Sequence, residues 1–204
     1  MIKINDVNKV LSKKQILTDI NIEFEEGKVY LLRGHNGCGK TMLLRLICGL
    51  ISPTSGSVET DKDYRFGVVI ENPSFFEGDT GLSNMKYLAS INKLINIKEI
   101  ERYLDMLNLS DMKNKKVKSY SLGMKQRLAL CQAFMENPDV ILLDEPFNAI
   151  DDDNLKVVYR IVNELKEQGK IIVIAAHGDL SESEIAFDKV ITMSAGKITK
   201  IEEL

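Results

Sequence analysis

Along the first part of the chain, hydrophobic and polar positions alternate with a period of two. Ile2-Lys3-Ile4 and Ile20-Asn21-Ile22-Glu23-Phe24 put every second side chain on one face, as a half-buried strand does. Glu25-Glu26-Gly27 is a turn signal, and the wholly apolar run Val29-Tyr30-Leu31-Leu32 reads as a buried strand. Residues 42–47 read as a helix that Gly49 can stop. After the turn cluster Ser52-Pro53-Thr54-Ser55-Gly56, short strands are expected at 57–60 and 66–70. With no helix between them, these two strands are expected to form an antiparallel patch beside the main sheet.

From Glu71 the period lengthens. Residues 82–93, 97–107 and 123–135 carry helical spacing without an intervening strand candidate, so 72–137 reads as a helical subdomain inserted into a core of 1–71 and 138–204. The core resumes with the apolar strand Val140-Ile141-Leu142-Leu143. A helix over 152–168 follows, with Leu155, Val158, Tyr159, Val162 and Leu165 on one face. Asp151, Asp152 and Asp153 crowd its N-terminus, where the helix dipole favours negative charge, and Gly169 ends it. A second apolar strand over 170–176 and a hairpin around Ala195-Gly196 complete the chain.

Composition narrows the classes. A chain of 204 residues suits one domain, and its 27 basic and 30 acidic residues leave a net charge of −3. That balance argues against a protein held on nucleic acid by bulk charge, so no nucleic-acid partner is expected. Four lysines within 113–118 read as a solvated face. Cys38, Cys48 and Cys131 show neither C-x-x-C nor zinc spacing, which fits a reducing, cytoplasmic compartment. No apolar run approaches the roughly 20 residues that span a bilayer. The N-terminus lacks a signal-peptide core. Work at a membrane is therefore expected to go through a partner.

The candidate chemistry begins at Gly34-His35-Asn36-Gly37-Cys38-Gly39-Lys40-Thr41, which fits the P-loop pattern G-x-x-x-x-G-K-[ST] without a mismatch. A buried strand precedes it and a helix opening at Met42 follows, which is the context the motif requires. Its glycines let successive N–H groups line one concave surface, and the new helix points its positive end at the same place. Lys40 can reach the β- and γ-phosphates of a nucleotide, and the Thr41 hydroxyl can ligate Mg²⁺. In open α/β sheets a ligand sits beyond the carboxyl ends of the strands, where Asp144, Glu145 and His177 fall. Asp144 is suited to hold Mg²⁺, and Glu145 to take a proton from attacking water.

Taken together, these segments resemble the nucleotide-binding subunit of an ATP-binding cassette (ABC) transporter. Residues 140–146 look like its Walker B segment, Phe147-Asn148-Ala149-Ile150-Asp151 like its D-loop, and His177 like its switch histidine. Tyr120-Ser121-Leu122-Gly123-Met124-Lys125-Gln126-Arg127 resembles the family signature, in the S-x-G-M-K-Q-R form familiar among exporter-type relatives. The resemblance covers nearly the whole chain. It implies an α/β P-loop NTPase core with a mostly parallel sheet, a small antiparallel β subdomain and an inserted helical subdomain.

It also implies an ATPase that pairs with a second nucleotide-binding subunit, a copy or a paralogue, around two ATP molecules. A transmembrane permease subunit would hold the pair on the cytoplasmic face of the cell membrane, with export the expected direction. Residues 34–42 would cradle ATP on one chain, while Ser121 and Gly123 of the other would reach its γ-phosphate. Lys40, Glu145 and His177 would act in hydrolysis. A soluble ABC-type ATPase in assembly and an ATP-binding regulatory module are the alternative readings.

Three positions depart from the family pattern. Glu71 replaces the usual glutamine after the strand over 66–70; it is expected to join Thr41 and Asp144 at the metal and to make nucleotide binding more dependent on Mg²⁺. Leu11 takes the place of the aromatic that stacks on adenine, so weak discrimination between ATP and GTP is expected. Cys38 sits inside the loop at a helix N-terminus; a space-filling side chain is the expected reading there, and an activated thiol whose alkylation blocks nucleotide entry is the alternative. Phe75 and Phe76 follow the Q-loop position, where one is expected in the core and one on a docking surface.

Overall fold

The computed structural model describes residues 1–71, 74–177, 180 and 183–204. Asn72 and Pro73, at the start of the expected helical insertion, lie outside the described residues.

Two sheets form the framework. In the smaller, β1 (Ile2–Leu11) lies between β2 (Lys14–Phe24) and β4 (Ser55–Thr60), antiparallel to both. The alternation seen in the sequence buries Ile2, Ile4, Ile20 and Phe24 on one face. The larger sheet has six strands in the order β5-β6-β7-β3-β8-β9. Its centre is formed by β3 (Val29–Arg33), β6 (Val140–Asp144) and β7 (Ile171–Ala176), all parallel and covered on both faces, which is why these segments are apolar throughout. β8 (Lys189–Ser194) runs parallel to β3, and β9 (Lys197–Glu203) closes that edge as an antiparallel hairpin partner. This is the α/β fold class that the pattern implied.

One strand falls elsewhere than expected. β5 (Phe66–Val69) pairs in parallel with β6 at the edge of the main sheet, not with β4 in the antiparallel one. The partner is chosen by the apolar register Phe66 with Val140 and Val68 with Leu142, a long-range match that local spacing does not reveal.

Between β5 and β6 the described chain carries α2 (Gly81–Asn92), α3 (Ile97–Met106) and α4 (Leu122–Phe134). Thr80 caps α2, Asn96 and Glu99 form a capping box on α3, and the Ser121 hydroxyl accepts from Met124 N at the start of α4. α1 (Lys40–Ile47) follows β3, and α5 (Asp152–Glu167) follows β6. The helices between β5 and β6 share one apolar cluster with α5 and one face of the main sheet; α1 and the antiparallel sheet pack on the other face. No helix among the described residues is long and apolar enough to cross a membrane.

Candidate active site

The carboxyl ends of β3, β6 and β7 converge on one place. β3 hands the chain to the loop 34–39, where Gly37 and Gly39 hold left-handed φ values of 79° and 113° that only glycine adopts without strain. Gly39 is also the N-cap of α1. It carries no side-chain acceptor, so the first-turn N–H groups of α1 are left aimed at the loop. Gly34 is required for a different reason: a Cβ there would stand 2.4 Å from the Met193 carbonyl oxygen of β8. The β8–β9 turn closes the back of the loop, with Gly196 N donating to Cys38 O (2.9 Å) and Thr18 N to Gly196 O (2.8 Å).

Lys40 is 5% exposed, and its ammonium donates to Gly34 O at 2.7 Å with Glu145 Oε1 3.9 Å away. The loop thus folds its own lysine back over the place a phosphate would take. Thr41 Oγ1 donates to Asp144 Oδ2 at 2.6 Å, joining the start of α1 to the buried end of β6. Glu145 adopts φ 48°, donates its N–H to Ala175 O, and accepts from the His177 backbone N–H at 3.1 Å. The backbone after β7 therefore holds the Glu145 carboxylate while the His177 side chain stays exposed.

Two cavities share Asp144 and Glu145. One, of 360 Å³, is walled by Ile16, Gly39, Lys40, Thr41 and Met42; the other, of 470 Å³, by Glu71, Leu122, Gln126 and Asn148. The geometry brings Asn36, Gly37, Gly39, Lys40, Thr41, Met42, Asp144 and Glu145 to one cavity wall. Ser121 and Gly123 line neither. They stand at the first turn of α4, whose Leu122 is 66% exposed.

Three of the expected positions are placed as follows. Cys38 is 1% exposed and packed with the core, so it is a space-filling side chain and not an accessible thiol at the loop mouth. Leu11 pairs with Lys14 at the tip of the β1–β2 hairpin and is half exposed; the aliphatic wall of the loop cavity is Ile16, just inside β2. Glu71 borders the larger cavity with Asp144 and Glu145, and its Oε1 accepts at 2.6 Å from Arg45 Nη2 of α1. Of the two aromatics after it, Phe75 packs against the core, while Phe76 is 56% exposed and meets the ring of Tyr87 edge-on at 5.3 Å.

Sequence reasoning assigned no role to two neighbours in the signature segment. Gln126 Nε2 donates to Pro146 O, fastening α4 to the loop after Glu145. Arg127 is buried and donates to Leu107 O and Asn108 O; burial pushes its guanidinium below the ordinary value, and the charge of Asp151 pulls it back. A glutamine and an arginine followed by the apolar run Leu128-Ala129-Leu130-Cys131 of a buried helix were the signal that could have revealed them.

A family model described as ABC transporter matches residues 17–148. The ABC transporter ATP-binding protein YybJ of Bacillus subtilis, itself uncharacterised, is 39% identical over 87% of this chain and 85% of its own length. The lantibiotic transport ATP-binding protein SrtF of Streptococcus pyogenes is 33% identical over 97% of this chain and 89% of its own. The dimeric structure of MJ0796, a bacterial ABC transporter cassette, superposes with a TM-score of 0.89 at 26% identity, covering 100% of this chain and 99% of that one. A post-hydrolysis state of the same cassette, bound to ADP and phosphate, superposes equally well at 25% identity.

Proposed function

The chain belongs to the ABC transporter ATP-binding family, and from that premise we propose that it hydrolyses ATP to power a separate transmembrane permease. The observation that carries this reading is the 2.6 Å bond between the Thr41 hydroxyl and the Asp144 carboxylate, beside a helix N-terminus that no side chain caps. Oriented N–H groups and the helix dipole take the phosphates of ATP. Lys40 exchanges the Gly34 carbonyl for phosphate oxygen, a stronger, charge-assisted acceptor.

The donor set suits magnesium. Thr41 and Asp144 offer two hard oxygens, and no cluster of three or more His, Cys, Asp or Glu able to hold a metal exists among the described residues. Mg²⁺ needs few protein ligands because it keeps water and phosphate oxygens. When bound, it offsets charge on the phosphates. Glu145, held by the His177 N–H and backed by Lys40, accepts a proton from the attacking water. The His177 imidazole contacts the γ-phosphate.

Ser121, Gly123 and the N-terminus of α4 serve the nucleotide of a second subunit; Ser121 and Gly123 line neither of the two cavities around Asp144 and Glu145. Phe76 and Tyr87, exposed and mutually packed, are the patch on which the permease docks; docking there places the chain on the cytoplasmic face of the membrane. Export is the proposed direction, supported by the S-x-G-M-K-Q-R form of the signature and by the likeness to a lantibiotic transport protein.

The test compares ATP turnover of the parent with Glu145→Gln and follows co-purification from detergent-solubilised membranes. The expected result is turnover lost with nucleotide binding kept, and a multi-span protein retained with the chain. Parental turnover in Glu145→Gln would defeat the assignment of the base, and a chain that purifies alone would point to the soluble assembly reading.

A further inference from the structure

Glu71 adds a third carboxylate to the edge of a site that must receive a polyanion. A cavity bordered by Glu71, Asp144 and Glu145 would repel metal-free nucleotide unless some cation balanced it. Lys40 and its loop face the Asp144 and Glu145 side of this group. On the Glu71 side the structure supplies Arg45. It lies in the last turn of the P-loop helix, and its Nη2 meets Glu71 Oε1 at 2.6 Å. The Arg45 side chain is 30% exposed and that of Glu71 61%. Glu71, two residues after the end of β5, adopts φ 64°, and its carboxylate reaches Arg45 of α1.

We propose that Arg45 is a positioning residue for Glu71: it neutralises the carboxylate and holds it at the cavity edge, so that the position acts toward nucleotide as an uncharged group. The inference rests on the ATP-binding reading above. It reverses one expectation from the sequence, namely that a glutamate at this position would by itself make nucleotide binding unusually dependent on metal. With its charge already balanced, that dependence belongs to a protein that lacks Arg45. A half-exposed ion pair adds little to fold stability, so its consequence is local charge.

The experiment measures binding of a fluorescent ATP analogue in excess EDTA and again in excess Mg²⁺. It uses the parent, Arg45→Gln, Glu71→Gln, the double variant and Arg45→Lys, each checked by thermal unfolding. Arg45→Gln is expected to weaken metal-free binding by roughly two- to five-fold, the span that a half-exposed pair supports. Adding Glu71→Gln restores the parental value, Arg45→Lys retains most of it, and excess Mg²⁺ narrows the differences. Rescue by removing Glu71 separates charge balance from a merely structural role, because a loosened helix would not recover. A double variant as weak as Arg45→Gln, or an Arg45→Gln that binds like the parent, overturns the proposal. Failure of the parent to bind the analogue under either condition overturns the reading of the site, and this inference with it.

Discussion

Gly123 is the position where the signature helix has no room to vary. A Cβ built there lies 2.3 Å from the Ala149 carbonyl oxygen, whereas ordinary contact begins at 3.4 Å. Its φ is not in the left-handed region, so space alone demands glycine. Because the obstacle is backbone, Gly123→Ala must push α4 and the loop after Glu145 apart by about 1 Å. Overpacking of this kind costs about 1–3 kcal/mol, partly offset by the better helix propensity of alanine. A net loss of about 1–2 kcal/mol lowers Tm by roughly 2–8 °C in a domain of this size. Misplacing two site segments by that distance is expected to cut ATP turnover about ten- to a hundred-fold. Gly169→Ala is the control: φ is +82° and an added Cβ meets no described atom within 4 Å. It loses a similar stability, about 1–2 kcal/mol, through backbone conformation alone, and keeps parental turnover. Thermal unfolding and steady-state ATPase assays on both variants decide the matter. Gly123→Ala with parental Tm and turnover would refute the reasoning.

Ile16→Ala is expected to weaken ATP binding more than Leu11→Ala does, by about 1 kcal/mol or fivefold, because Ile16 walls the loop cavity. The parent should bind ATP and GTP with similar affinity, and a strong preference for ATP would show that another group reads the base. Lys170 is buried just before β7, its amine 3.5 Å from Asn137 O; burial pushes the amine below its ordinary value, against the pull of Asp139. Because its folded pKa lies below the unfolded one, the unfolded chain binds more protons between the two values, and stability rises with pH there. Lys170→Met should therefore raise Tm at neutral pH, with the gain fading as pH approaches the ordinary lysine value of 10.5; an equal gain at both would argue against buried charge as the cause.

What could be read from the sequence was whatever local rules determine. The loop 34–41 is contiguous, so its motif, strand and helix arrive together. The apolar runs of β6 and β7 announce strands covered on both faces. The β1–β2 turn stayed hidden because Ser12 and Lys13 adopt φ values of 48° and 66° without a glycine to mark them. The partner of β5 and the ion pair of Arg45 with Glu71 depend on residues far apart in sequence. Hydrophobic periodicity shows which face of an element is buried, but not which neighbour buries it.

The same long-range contacts explain why the proposed site works as one device. α4 is joined to the loop after Glu145 in two ways, by the Gln126 bond to Pro146 O and by the close approach of Gly123 to Ala149. Glu145 is in turn tied to β7 through its N–H bond to Ala175 O and its carboxylate contact with His177 N. On the other side of α4's entry, the segment before it is zipped to the chain after β5, with Val117 N donating to Asp79 O and Lys118 N to Glu77 O, and Lys125 pairing with Glu77. These contacts join Glu145 to the first turn of α4 through packed backbone, and from there to the segment that carries Phe76. Coupling needs such a contiguous element with two alternative positions. α4 meets the first of these conditions, being fixed at one flank to the loop after Glu145 and at the other to the chain after β5.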